Sequence, residues 1–385
     1  MFLVKAKRFS MPFSKLPRGF MKMREVPLLN LHKALGASLG IFAGVKTAMD
    51  YGNALEEHIA VRNSVGVFDI THMGRIAIKG PDAYDLLNYL VPKDISKSQE
   101  GRMIGPTAFL NEKAGFKDDV MLYNMGNDNW MLVCNAINIE KIYSWLKQWT
   151  QKISARVTIE NLTETYAMLA IQGPKSADLI STLGFENALD LKHLQFITDL
   201  EYKGGKVFLI SRSGWTGEDG FEIIAKPNVA ECILKEAIKK GAKPCGLIAR
   251  DSLRLEMGFV LYDNDIDENT TPLEARYWVF TPSKTGYVGY EALAKQLEEG
   301  VKRVKIGIRM KKGIRVIPRR GYEIVVGNKT VGKVTSGTFS PILRRSIAMG
   351  YVNSTHALMG LEVKVIIRGK KYPGKLVDFP FIKKR

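Results

Sequence analysis

The chain has 385 residues, 45% of them hydrophobic and 25% charged, which excludes a disordered or fibrous protein and leaves room for two or three domains. No apolar run reaches the roughly eighteen residues that a membrane-spanning helix needs, so a soluble protein without a membrane partner is expected. Lysine and arginine outnumber acids by 57 to 39, a net charge of +18 that points to a polyanion, an anionic substrate or an acidic partner protein, or to no more than a basic surface. Cys134, Cys232 and Cys245 stand far apart with no paired spacing and no neighbouring histidine. That argues against a disulfide framework or a zinc site, and for a reducing, cytoplasmic compartment.

The first 24 residues carry Lys5, Lys7, Arg8, Lys15, Arg18, Lys22 and Arg24 without an acid. This is the charge pattern of a transit peptide, without a secretory apolar core. Met11, Met21 and Met23 offer later starts, and residues 1–27 are expected to form a basic, disordered tail. Beyond it, Leu31, Leu35, Leu39 and Ile41 predict a short helix, and residues 56–62 predict another. Residues 67–70 and 75–78 read as strands, and Gly80-Pro81 ends the second before a helix over 82–90. The same phrase returns at 168–174, an apolar strand ending in Gly173-Pro174, followed by a helix over 175–183. This repetition predicts an internal duplication within a body spanning 28–300, its units lying near 67–150 and 160–260. Two units of strand, Gly-Pro and helix predict an α+β architecture with helices against antiparallel sheets, rather than a doubly wound nucleotide fold. From Val301 onward, short β-rich runs at 304–308, 323–326, 331–335, 348–352 and 363–367 predict a C-terminal domain, 301–385, that is a small β-barrel or sandwich.

Three segments carry candidate chemistry. In the first, Asn111 to Tyr123, a turn delivers Asp118 and Asp119 onto the start of an apolar strand. Strand neighbours face opposite ways, so Asp119, Met121 and Tyr123 share a side, and Asp118 is expected to turn away from it. A carboxylate buried there suits acid-base work or a counter-ion for a cationic intermediate; a solvated turn is the plainer alternative. In the second, Ser211 to Ile223, three glycines punctuate two aromatics and three acids. Trp215 there can stack on a planar ring and Glu222 can pair with an amidine-like N–H edge, or the segment is a hairpin with an exposed tryptophan. In the third, Pro244 to Glu256, a turn opens a helix displaying Arg250, Asp251 and Arg254. The two arginines, four apart, repel unless acids or an anionic ligand offset them, so the helix is either a carboxylate-binding element or a salt-bridged one.

Two other signals are set aside. Asp263, Asp265, Asp267 and Glu274 mimic a calcium loop, but its sixth position is Glu268 rather than glycine and Pro272 interrupts it. No metal site is expected. His32, His58, His72, His193 and His356 are scattered, and no serine or cysteine sits in a nucleophile elbow, which argues against a hydrolase triad.

Together with EEHIAVRNSVGVFDITHMG (56–74), IQGPKS (171–176), DENTTP (267–272) and VTSGTFSP (334–341), these segments follow one order over about 29–381. That ordered set resembles the glycine cleavage T-protein family. The resemblance implies an aminomethyltransferase, built as a three-domain cloverleaf around a central folate pocket. Its co-substrate would be tetrahydrofolate or a related reduced pterin, and its partner the lipoylated H-protein that presents an S-bound aminomethyl group. Carried across, Asp119 matches the catalytic aspartate, Glu222 and Arg250 match pterin and folate contacts, and Asn135 and Tyr123 look like pocket-lining positions. Trp215 stands where the family has a tyrosine. The family's Gly-Trp-x-Met-Pro segment is here Gly44-Val45-Lys46-Thr47-Ala48-Met49, its glycine before Ala-Arg-Asp is Ile248, and its tyrosine before the Asn-Glu turn is missing near Pro106. Such changes leave a folate-dependent demethylase, or a paralogue with a small-molecule donor, as the alternative. A non-catalytic folate-binding relative is opposed by Asp119. An RNA-associated protein is opposed by the lack of aromatics interleaved with basic residues, so no nucleic acid is expected.

Overall fold

The computed structural model describes residues 24–383. The basic segment before Arg24 lies outside them. Arg24–Glu25 is already ordered as a short strand parallel to Val45–Lys46, and Val26 behind it is buried.

Two sheets form the body, antiparallel throughout except for the edge strand Lys243–Cys245, which runs parallel to Gly66–Asp69. The first has five strands in the order Arg102–Leu110, Phe116–Asn124, Asn129–Cys134, Gly74–Lys79 and Thr158–Asn161. Helices Ala83–Leu90 and Ile139–Lys152 cover one face, packing Leu86, Leu87, Ile142 and Leu146 against Ile76, Val120, Leu122 and Leu132. The second sheet has six strands, Phe196–Tyr202, Gly205–Ser211, Gly220–Ala225, Ala167–Gln172, Gly66–Asp69 and Lys243–Cys245, covered by helices Ser176–Thr182 and Pro227–Lys239. The uncovered faces of both sheets meet in a third apolar cluster that includes Phe68, Ile70, Tyr123, Met131, Met168 and Ile224. Any side chain pointing off these inner faces therefore enters the space between the sheets.

The duplicated phrase is a duplicated piece of geometry. Gly80 and Gly173 both sit at positive φ, +138° and +133°, where a side chain would strike the Arg156 or Ser64 carbonyl oxygen. Each accepts the same turn hydrogen bond at 2.9 Å, from Ala83 N and Ser176 N respectively. Only glycine supports such a turn, which ends one strand and starts the next helix.

One expectation fails at the start of the body. The predicted helix through Ile41 stops at Ala34, because Gly36 takes φ +76° and Ala37 N returns to the His32 carbonyl, closing the helix. Leu39 and Ile41 belong instead to the strand Ser38–Phe42, which forms a hairpin with Val45–Asp50.

The C-terminal region is a closed barrel rather than a sandwich, in the order Arg303–Met310, Arg345–Asn353, Lys329–Ser340, Glu323–Val326, Glu362–Ile367 and Lys370–Val377. The last strand was not read from the sequence, since only Gly374 and Leu376 of it are fully inside and three lysines, a tyrosine and a proline fill most of the rest. The barrel meets the body along helix Leu247–Glu256. Leu255 packs on Ile347 and Met349, while Arg254 reaches Ser336 Oγ at 3.0 Å and Glu256 accepts a hydrogen bond from Ser340.

Candidate active site

Between the two sheets lies a cavity of about 680 Å³, lined by residues from Phe42 to Tyr277. Asp119, Tyr123, Asn135, Trp215, Glu222 and Arg250, drawn from the three candidate segments and from the end of strand Asn129–Cys134, all face it.

The turn that delivers Asp119 is fixed from both sides. Asn111 Oδ1 accepts from Lys113 N at 3.0 Å and Gly115 N at 2.8 Å, while its Nδ2 donates to the Glu268 carbonyl at 2.9 Å. A Cβ on Gly115 would lie 1.9 Å from that same carbonyl oxygen, so glycine is required for the turn to dock. On the strand that follows, Val120 and Leu122 face the helices, and Asp119, Met121 and Tyr123 face the cavity. Asp119 Oδ1 accepts from Asn135 Nδ2 at 2.8 Å and Oδ2 from the Tyr277 hydroxyl at 3.1 Å. Burial raises its carboxyl to about 6 against these two hydrogen bonds.

Asp118 does turn away from the cavity, but not into solvent. It is fully buried beneath the helix layer, accepting from Asn135 N at 3.0 Å, Asn135 Nδ2 at 2.8 Å and Asn138 Nδ2 at 2.7 Å. Burial, then the neighbouring Asp119, raises its carboxyl. The two acids titrate as a pair.

On the opposite wall, Glu222 Oε2 accepts from Ser213 Oγ at 2.8 Å, and its Oε1 lies 3.9 Å from Arg250 Nη2. Arg250 Nη1 is buried with no hydrogen-bond partner, leaving an oriented donor at the cavity wall. Burial lowers the Arg250 pKa, with Glu222 opposing the shift. Trp215 is not an exposed hairpin residue: its ring lies 4.7 Å from that of Phe259, and Nε1 donates to the Val260 carbonyl at 3.4 Å. Tyr123 is wholly buried, 5.4 Å from the Phe196 ring.

The two helix arginines resolve differently. Arg254 is offset by Asp251 at 2.7 Å and Asp265 at 2.7 Å, which also engages an acid of the rejected calcium-like segment. Glu274, from the same segment, closes a capping box with Thr271 and pairs with Arg303 at 2.9 Å. Arg250 has only the distant Glu222, so it is the arginine with capacity for an anionic or carbonyl ligand.

Three residues of the site escaped the sequence reading. Tyr277 lies 158 positions from Asp119, and no local pattern marks it. His72 lines the cavity with a buried, unpartnered Nδ1, and burial lowers its pKa to about 3, with Arg250 adding to the shift. Its signal was present in Thr71-His72-Met73-Gly74, one of the quoted segments. Lys305 reaches in from the barrel, donating to the Gly258 carbonyl at 3.2 Å, 5.9 Å from the Tyr277 ring centroid. Burial lowers its pKa to about 8.

Comparison with known proteins bears directly on this arrangement. Residues 28–284 match the GCVT N-terminal domain, and residues 303–383 match the glycine cleavage T-protein C-terminal barrel domain. The chain belongs to the glycine cleavage T-protein family. A probable aminomethyltransferase of Aeropyrum pernix is 42% identical over 369 residues, covering 94% of this chain and 98% of that protein. An aminomethyltransferase of Halothermothrix orenii is 39% identical over 365 residues, covering 94% of this chain and 100% of that protein. A crystal structure of the glycine cleavage system aminomethyltransferase T from Bartonella henselae matches with a TM-score of 0.87 at 33% identity, over 94% of this chain and 99% of that one. Family membership thus accounts for the α+β body and for the closed barrel. Among the described residues, no helix is long and apolar enough to cross a membrane.

Proposed function

We propose that this chain is an aminomethyltransferase that moves the one-carbon unit of a lipoyl-bound aminomethyl group onto a reduced folate held in the central cavity, releasing ammonia. The observation that carries the reading is the Asp119 carboxylate, half-buried at the cavity wall and held from two sides by Asn135 and Tyr277. The lipoylated H-protein is the donor and tetrahydrofolate, or a related reduced pterin, the acceptor. Three free cysteines support a reducing, cytoplasmic setting.

The cavity suits that acceptor. Its volume falls in the range of small-molecule sites, and polar side chains from several elements converge on it. Glu222 offers its carboxylate to the N–H edge of a pterin, Trp215 offers a ring face, and the free Arg250 donor meets a carbonyl or carboxylate. When bound, the reduced pterin supplies the nucleophilic nitrogen that captures the carbon. As the carbon–sulfur bond breaks, positive charge develops on the transferred carbon and its amine. A fixed carboxylate at Asp119 stabilises that charge and can accept the proton released from the pterin nitrogen. The apolar walls from Ile70, Met121, Val133 and Met168 exclude water, which strengthens the electrostatic effect.

A second reading, a folate-dependent demethylase with a small-molecule donor, is favoured by one observation. The altered segment around Met49 packs against Gly246, whose helix carries Arg250, so its changes bear on the cavity wall. The purified protein, given aminomethyl-lipoyl carrier and tetrahydrofolate, is expected to release ammonia and form methylene-folate only when both are present. Turnover of an N-methyl amine without the carrier would select the demethylase instead, and turnover of neither would end both readings.

A further inference from the structure

Adjacent strand residues normally serve separate surroundings, and here one amide serves both. Asn135 Nδ2 lies 2.8 Å from Asp118 Oδ1 and 2.8 Å from Asp119 Oδ1, so its two N–H bonds can supply one acceptor on each side of the sheet. Asp118 itself does not reach the cavity. Its other donors, Asn135 N and Asn138 Nδ2, come from the turn that joins strand Asn129–Cys134 to helix Ile139–Lys152. The same strand face is otherwise apolar, with Phe116, Val120 and Leu122 at neighbouring inward positions. An apolar residue at 118 would strand the Asn135 N–H, the Asn135 amide and the Asn138 amide, so the acid is tied to holding that turn. What an apolar side chain could not do is hold Asn135.

We propose that Asp118 is a positioning residue for the transfer reaction: it anchors Asn135 by main chain and side chain, so that the amide presents one N–H to the Asp119 carboxylate at the cavity wall. The inference rests on the reading of Asp119 given above. It assigns the two acids one task in two layers, Asp119 facing the reacting carbon and Asp118 fixing the direction from which Asp119 is held. Burial without those donors would leave Asp119 free to rotate toward Tyr277 alone.

The test is a double-mutant cycle on the full-length enzyme with kcat and folate KM measured separately. Asp118→Asn and Asn135→Ala are each expected to lower kcat by about 10- to 100-fold, with the reduced-folate KM of Asp118→Asn within about threefold. If Asp118 acts through Asn135, the double variant loses no more than the worse single one. A kcat for Asp118→Asn within about threefold of wild type, or losses that multiply in the double variant, would overturn the inference. Should Asp118→Asn not fold, Asn138→Ala strips one donor from Asp118 without touching Asp119. It is expected to lower kcat by about three- to tenfold at unchanged KM, and an unchanged kcat there counts equally against the proposal. A wild-type enzyme that transfers no carbon from the carrier would instead overturn the underlying reading of the site.

Discussion

The body and the barrel of this molecule treat charge in opposite ways. Between 301 and 385 stand twenty-one lysines and arginines but only three acids, Glu323, Glu362 and Asp378, so the whole net charge of +18 resides there and the first 300 residues balance. In the body, the charges that matter are buried and partnered: His32 with Asp69 at 2.8 Å, Arg62 with Glu218 at 2.8 Å, Arg254 with Asp265 at 2.7 Å. On the barrel, apart from Lys305 and Arg303 at its joint with the body, most are at or near the surface, and some oppose each other directly, as Arg309 does Lys375 across neighbouring strands. A basic bias of composition would spread over both regions. Beyond the basic first 24 residues the excess of base lies on the barrel and not on the body, and we propose that the barrel surface serves to attract an anionic partner.

The sharpest break in this contrast comes at the joint, where helix Leu247–Glu256 carries buried charges into the barrel. Arg254→Met removes the cation that pairs with Asp251 and Asp265 and the bond to Ser336, and is expected to cost about 3–5 kcal/mol in denaturant unfolding. Neutralising exposed Lys375 instead should change stability by less than about 0.5 kcal/mol. Equal effects would mean that the body's charges are no more structural than the barrel's.

A smaller effect tests the steering role. Carrier KM is expected to rise several-fold, about three- to tenfold, from low to high ionic strength, while folate KM changes by less than about twofold because its contacts are short-range and sheltered. Replacing Lys364, Lys371 and Lys375 with glutamine should flatten the carrier's salt dependence. An unchanged carrier KM would give the barrel's charge some other task and strengthen the small-molecule donor reading.

What could be read from the sequence was whatever is encoded locally. The two Gly-Pro turns were legible because a positive-φ glycine and an apolar strand leave marks within a dozen residues. Alternation placed Asp119, Met121 and Tyr123 on one face, and that face is the cavity's. Alternation gives side but not depth. It turned Asp118 away correctly, yet could not say that Asn135 and Asn138 wait on the far side. The long-range partners Tyr277 and Lys305 left no periodic signal, since each meets the site only through tertiary packing. Leu39 and Ile41 continued a leucine spacing past Gly36, where backbone geometry had already ended the helix.

The central claim, that Asp119 acts on charge developing during transfer rather than on binding, is tested most directly by Asp119→Asn. A single-turnover assay from aminomethyl-lipoyl carrier to tetrahydrofolate, run beside reduced-folate binding, separates the two. Transfer is expected to be abolished while folate affinity stays within about tenfold of wild type, because the carboxylate is needed as the cation forms. Transfer by the variant at the wild-type rate would contradict the account.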